Sequence, residues 1–145
     1  MPLLISGPGV RLGSTTDKLV LNTDFLPTFT DLAGAATPPY VDGRSLRPVL
    51  TESATSWRTA ILLESRKGSR FASAGPEDVP YDGIRTSTSK YIEYEGGERE
   101  LYTLSTDAHE MSSTPTSSSA PSLQTRLQAL KGCARESCRA AEKGP

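Results

Sequence analysis

Residue types able to do chemistry are few in this chain: a glycine-rich loop, one histidine, two cysteines and scattered acids. The loop lies in "LLISGPGVRLG", residues 3–13, where Leu3-Leu4-Ile5 feeds Gly7, Gly9 and Gly13. A strand running into glycines opens many phosphate-binding sites, because glycine lets backbone N–H groups approach an anion. The rest of that signature fails. No Gly-Lys-Ser/Thr follows, and behind Gly7-Pro8-Gly9 come Val10, Arg11, Leu12 and Gly13 with no helix opening. The loop reads as the exit turn of a buried strand. His109 is the histidine that a Ser-His-Asp triad or a zinc site would have to use. It sits in "STDAHEMSS", a polar turn, and is expected to be exposed. Asp42 precedes Gly43, a turn pairing. Asp24 is better placed as a charge in the first turn of a helix than as a metal ligand. Glu77 and Asp78 fall in a polar excursion. No Asp/Glu/Asn run has the spacing of a metal loop, so no catalytic or metal residue is assigned.

Cys133 and Cys138 are five apart, about 1.4 helical turns, so a continuous helix would point them to different sides. A break at Gly132 would let "CARESC" close on itself. That favours a disulfide and hence an oxidising compartment. Free thiols, or two members of a metal site lacking its other ligands, are the alternatives.

These residues need elements to position them. Leu3–Ser6 reads as a short buried strand. "LNTDFLPTFTDLAG" reads as a helix of about three turns, capped by Asn22 or Thr23, with Phe25, Phe29 and Leu32 as its apolar face and Gly34 as its stop. "RSLRPVL" allows one helical turn, limited by Pro48. "TAILLES" (59–65) is a second strand, and "RKGSRFASAGPEDVP" (66–80) a polar excursion. "DGIRTSTS" and "KYIEYEGGERELYTL" read as a meander with a hairpin turn at Gly96-Gly97. Tyr91 and Glu93 share one face, Ile92 and Tyr94 the other. The Ser/Thr-rich tract at 112–122 reads as a flexible linker. "PSLQTRLQALKG" is a short helix with a stripe of Leu123, Leu127 and Leu130, ended by Gly132. The class is α+β: a strand and a helix, a small antiparallel sheet, then a packed C-terminal helix. The first strand has no partner within the chain, which suggests a region ahead of Met1.

The totals narrow the function. The apolar fraction is 35%, enough for only a modest core in 145 residues. The formal net charge of −1 gives no nucleic-acid footprint. No apolar window approaches the roughly 18 residues of a membrane span. "MPLLISGPGV" lacks the basic start and apolar length of a signal peptide, so the chain as given is expected to stay in the cytoplasm. That conflicts with a disulfide, a second pointer to an absent N-terminal part.

Taken together, the segments resemble the C-terminal part of the sulfatase family, in its arylsulfatase and N-acetylglucosamine-6-sulfatase-like members. "MPLLISGPGV" is similar to the family's strand and Gly-Pro-Gly-Val loop. "NTDFLPTFTDLAGAATPPYVDGRSLRPVL" is similar to its next stretch, and "WRTAILLE", "YDGIRTSTSKYIEY" and "ELYTLSTDAHEM" follow in the family's order. "LQALKGCARESC" resembles a paired-cysteine tail. The resemblance implies that residues 1–57 are the tail end of an alkaline-phosphatase-like α/β catalytic domain. Residues 58–145 would be its C-terminal antiparallel-sheet subdomain, with a linker at 112–121 and a terminal helix. It also implies that "LLISG" is a strand of the large sulfatase sheet, its partners lying upstream.

The family hydrolyses sulfate esters with a formylglycine made from Cys or Ser in Cys/Ser-x-Pro-x-Arg, assisted by a calcium ion held by Asp and Asn. Neither can be carried over. Cys133 is followed by Ala-Arg-Glu and Cys138 by Arg-Ala-Ala, while Ser113 and Ser119 start the motif but lack its Arg. The resemblance thus implies a fragment without the nucleophile, inactive alone. It would work with a missing N-terminal catalytic region, in a parent that is secreted, periplasmic or lysosomal-like and acts on sulfated carbohydrate. The chain departs from the family at Thr103, Ala108 and Ser113, and at Arg135, where a Gly is usual. The rival is a non-catalytic module that binds a sulfated glycan or a partner protein through Tyr81, Tyr91, Tyr94, Arg85 and Lys90. The plain alternative for these is tyrosines packing the sheet and solvated bases.

Overall fold

A computed structural model describes residues 3–66 and 79–144. Glu77 and Asp78 lie outside the described residues. Four antiparallel strands form one sheet in spatial order β1-β2-β3-β4: β1 (Ala60–Ser65), β2 (Tyr81–Thr86), β3 (Ser89–Tyr94) and β4 (Arg99–Thr103). Ahead of it lie a 3-10 turn (Asn22–Asp24), helix α1 (Phe25–Leu32) and the single turn α2 (Arg47–Leu50). Behind it come α3 (Ala120–Lys131) and α4 (Glu136–Lys143).

The turns explain the meander. Gly97 adopts φ +94, and its N–H donates to the Tyr94 carbonyl while Tyr94 N–H donates to Glu98. The β2–β3 turn has no glycine. There the Thr86 hydroxyl oxygen accepts from the N–H groups of Thr88 and Ser89, at 3.2 and 2.9 Å. Alternation along the strands puts Ala60, Ile84, Tyr91 and Leu101 on one face, and the expected stripe Leu123, Leu127, Leu130 of α3 covers them. Polar contacts fix the register of that helix: Gln124 and Gln128 donate to Glu93, and Lys131 pairs with Asp82 at 2.6 Å. The Ser/Thr-rich tract runs along β4. Thr114 N–H donates to the Leu101 carbonyl at 2.8 Å, and Leu101 N–H donates to the Ser113 hydroxyl.

Four expectations are corrected. Leu3–Ser6 forms no ladder among the described residues, and Leu4 is 93% exposed. A strand needs a neighbour to satisfy its backbone, and here none supplies it. The apolar face of α1 is not buried: Phe29 is 64% and Leu32 57% exposed, whereas Asp24, Pro27 and Thr28 are buried. The chain around this helix offers polar partners. The Thr28 hydroxyl donates to the Asp24 carbonyl and accepts from Leu46 N–H. Nor do Asn22 or Thr23 cap it; Asp24 accepts from Leu21 N–H at 2.8 Å. Finally, a second helix, α4, follows Cys133 where only a closed loop was expected.

Candidate functional site

The most ordered chemistry in the molecule lies where the 3-10 turn, the segment before β1 and the end of α4 meet. Asp24 is fully buried and accepts four hydrogen bonds. Two come from the backbone, Leu21 N–H and Arg44 N–H, at 2.8 and 3.0 Å. Two come from the Arg58 guanidinium, Nη1 at 2.5 Å and Nη2 at 2.7 Å, a bidentate clamp. The third nitrogen of Arg58, Nε, donates to Glu142 at 3.0 Å. Arg44 also bonds the Glu142 carboxylate. Trp57 lies against both cations, 5.5 Å from the Arg44 carbon and 5.4 Å from that of Arg58, and its indole N–H donates to the Leu19 carbonyl.

The backbone is shaped for this meeting. A Cβ at Gly43 would overlap the Thr23 carbonyl, so only glycine allows the 42–44 segment to pass close enough for Arg44 N–H to reach Asp24. Asp42 accepts from Arg135 N–H at 2.6 Å, which ties the start of α4 to the same segment. At the other end of α4, the Glu142 carbonyl accepts from Thr59 N–H at 2.8 Å and from Arg126.

The electrostatics follow from burial and pairing. Burial works against the Arg58 charge, but the bonds and charges of Asp24 and Glu142 outweigh it, and its pKa is raised. Burial dominates at Arg44, and the like charge of Arg58 adds to it, so its pKa is lowered. Every oxygen of Asp24 and every nitrogen of Arg58 is engaged. With Asp24 and Arg58 saturated in this way, the cluster is a clamp between the segment ahead of the sheet and the sheet's own C-terminal helix. Sequence reasoning missed it. Asp24 was read as a helix-end charge, and its partners stand 34 residues away at Arg58 and, through Arg58, a further 84 away at Glu142. The signals available were Trp57-Arg58 immediately before a strand, and a glycine directly after Asp42.

The other sequence candidates are placed as follows. Cys133 and Cys138 are joined in a disulfide, with their Cα atoms 4.7 Å apart. His109 is exposed in a turn. Its neighbour Asp107 has a lowered pKa, because its carboxylate accepts from the backbone N–H groups of Met111 and Ser112. The proposed binding residues of the sheet do not form one surface. Tyr91 is buried beneath α3, its hydroxyl donating to Glu93, and burial with that bond pushes its pKa up to about 12. Arg85 and Lys90 are register partners on the opposite face, where both approach Glu110, at 3.6 and 2.5 Å. Tyr81 and Tyr94 pair edge to face on that side, 5.8 Å apart. Burial and the neighbouring Glu100 push Tyr94 up to about 12 as well.

Comparison with known proteins accounts for the architecture. Residues 1–135 match the family described as N-sulphoglucosamine sulphohydrolase, C-terminal. An N-acetylglucosamine-6-O-sulfatase of Bacteroides thetaiotaomicron is 34% identical over 118 residues, covering 77% of this chain and 20% of that protein. Arylsulfatase K of Mus musculus is 30% identical over 125 residues, covering 80% of this chain and 22% of that protein. The solved structure of BT4656 with its substrate D-glucosamine-2-N,6-O-disulfate superposes with a TM-score of 0.72 at 29% identity, over 92% of this chain and 26% of that one. The chain thus spans about a fifth to a quarter of the length of these relatives. A family match over residues 1–135, which takes in every described element ahead of α4, makes this chain a member of the sulfatase family, corresponding to its C-terminal portion.

Proposed function

We propose that this chain serves a sulfatase as its C-terminal portion: it completes a sulfuric ester hydrolase, and on its own it is catalytically inert. The observation that carries the reading is the family match over residues 1–135 in a chain whose first segment and α1 present bare apolar side chains. Leu4, Leu12, Phe29 and Leu32 are each more than half exposed. A surface of that kind marks a place where more protein belongs. The occupant is the catalytic region that makes up the rest of the relatives' length.

The residues present do not fit the family's formylglycine or calcium. Both cysteines are spent on each other, so neither thiol is open to oxidation to an aldehyde. Asp24, the most deeply buried carboxylate, already accepts four hydrogen bonds. Among the described residues no three His, Cys, Asp or Glu side chains gather where they could hold a metal. The catalytic chemistry therefore belongs to the absent region, with sulfated carbohydrate as the substrate class of the parent. The disulfide supports an oxidising compartment for that parent: secreted, periplasmic or lysosomal-like. No helix among the described residues is long and apolar enough to cross a membrane.

The test has two arms. The purified chain, supplied with calcium and an aryl sulfate, is expected to give no turnover. The Bacteroides N-acetylglucosamine-6-O-sulfatase, cut back to remove its C-terminal portion, is expected to lose activity and to regain it when this chain is fused in place. Calcium-dependent turnover by the isolated chain would refute the inert reading. A fusion no better than the truncated enzyme would refute the completing role.

A further inference from the structure

We propose that the Cys133–Cys138 disulfide is a redox-sensitive latch that holds α4, and through it the Glu142 carboxylate, in the Asp24–Arg58–Arg44 cluster. The argument begins with the composition of α4, ESCRAAEK. Eight residues are too few for a helix to persist by itself, since isolated helices shorter than roughly 12 residues are marginal in water. The helix carries no large apolar side chain. Ala141 alone packs against the core, whereas the neighbouring α3 buries three leucines. What keeps α4 in place is covalent and polar: the disulfide at its first turn, the Asp42–Arg135 hydrogen bond beside it, the bond from Arg139 to the Gly43 carbonyl, and at its far end the Glu142 carboxylate together with the Glu142 carbonyl that accepts from Thr59 and Arg126.

The loop that the disulfide closes is strained. Arg135 adopts φ +58 and ψ −120, a conformation natural to glycine and costly for a residue with a side chain. With the bond intact that conformation is enforced. With the bond broken it relaxes, and the start of α4 is freed. Both cysteines are partly exposed, so a dithiol can reach them. A thiolate of the dithiol attacks one sulfur, and the other cysteine leaves as a thiolate and takes a proton. The second thiol of the dithiol then displaces the first cysteine. The protein sulfurs gain two electrons and two protons in all, and the dithiol leaves as a disulfide. Once α4 frays, Glu142 withdraws from both arginines. Trp57, the chain's one tryptophan, lies against both guanidinium groups and reports the event.

The experiment uses the full chain with and without dithiothreitol, reading Trp57 emission and amide hydrogen exchange. Reduction is expected to shift Trp57 emission. It is also expected to speed exchange of the Thr59 amide, whose acceptor is the Glu142 carbonyl, by about tenfold or more, while amides of β2 and β3 change less than about twofold. The double variant Cys133→Ser/Cys138→Ser is expected to show the same signals without reductant and no response to it. Glu142→Gln in the oxidised chain is expected to give the emission shift by itself. Unchanged emission and Thr59 exchange on reduction would overturn the latch. So would loss of protection throughout the sheet, because the disulfide would then hold the whole fold and not α4. An emission change that follows reduction but not Glu142→Gln would overturn it too.

Discussion

Beneath α3, side chains of Ala60, Ile84, Tyr91, Leu101, Leu123, Leu127 and Leu130 meet with no charge among them. Between the 3-10 turn and the end of α4, Asp24, Arg44, Arg58 and Glu142 meet with hardly anything else, apart from the ring of Trp57. The same chain thus joins its parts in two unlike ways. An apolar core is tolerant: it loses stability in proportion to what is removed, and any residue of similar volume serves. A buried ion cluster is not. Its desolvation cost is offset only while each partner stands in place, so it adds little to net stability yet suffers badly when one member goes. The apolar core lies between one face of the sheet and α3, which closes that side. The ion cluster joins the segment ahead of the sheet, whose own apolar residues face outward.

The sharpest way to break the contrast is at Arg58. Arg58→Ala leaves Asp24 buried without its bidentate partner and is expected to cost about 4 kcal/mol, toward the middle of the range for orphaning a buried charge. Urea unfolding followed through Trp57 measures it; a loss below about 1 kcal/mol would mean that water enters the cluster and the clamp is not dry. The matching cut in the other region is Leu127→Ala, at a fully buried position under the sheet. It is expected to cost about 3 kcal/mol, the transfer term plus the cavity left behind. Thermal unfolding by circular dichroism reads this, and a cost larger than that of Arg58→Ala would reverse the ranking of the two regions. The smallest effect expected has the opposite sign. Arg135→Gly relieves the left-handed backbone at the start of α4 and should stabilise the oxidised chain by about 1 kcal/mol, after the extra freedom of glycine in the unfolded state is subtracted. A destabilised variant would show that the Arg135 side chain contributes more than its backbone costs.

Much of the sheet and of α3 was legible in the residues. Gly96-Gly97 between alternating runs gave a hairpin, and Leu123, Leu127 and Leu130 gave a helix with one buried stripe, because both signals lie within a few residues of the element they specify. The paired cysteines could be read as a small closed loop for the same reason. The segment ahead of the sheet was less legible. Its apolar pattern at Phe25, Phe29 and Leu32 is real, but periodicity does not say whether a face meets its own chain, and here it stays exposed. Asp24, judged by its neighbours alone, is a common helix-end charge.

The sequence by itself therefore determined the strands of the sheet, the leucine stripe of α3, the hairpin turn at Gly96-Gly97 and the family to which the chain belongs, since each is written in local periodicity or in motif order. Only the tertiary structure decided that Asp24 is buried under Arg58, that Glu142 returns from the far end of the chain to share that arginine, that Tyr91 faces inward while Arg85 and Lys90 face out, and that α1 turns its polar side to its own chain. Charges have no periodicity to betray their partners. Which carboxylate meets which guanidinium depends on backbone segments brought together across long stretches of sequence, and on a single glycine at position 43 that lets them come close enough.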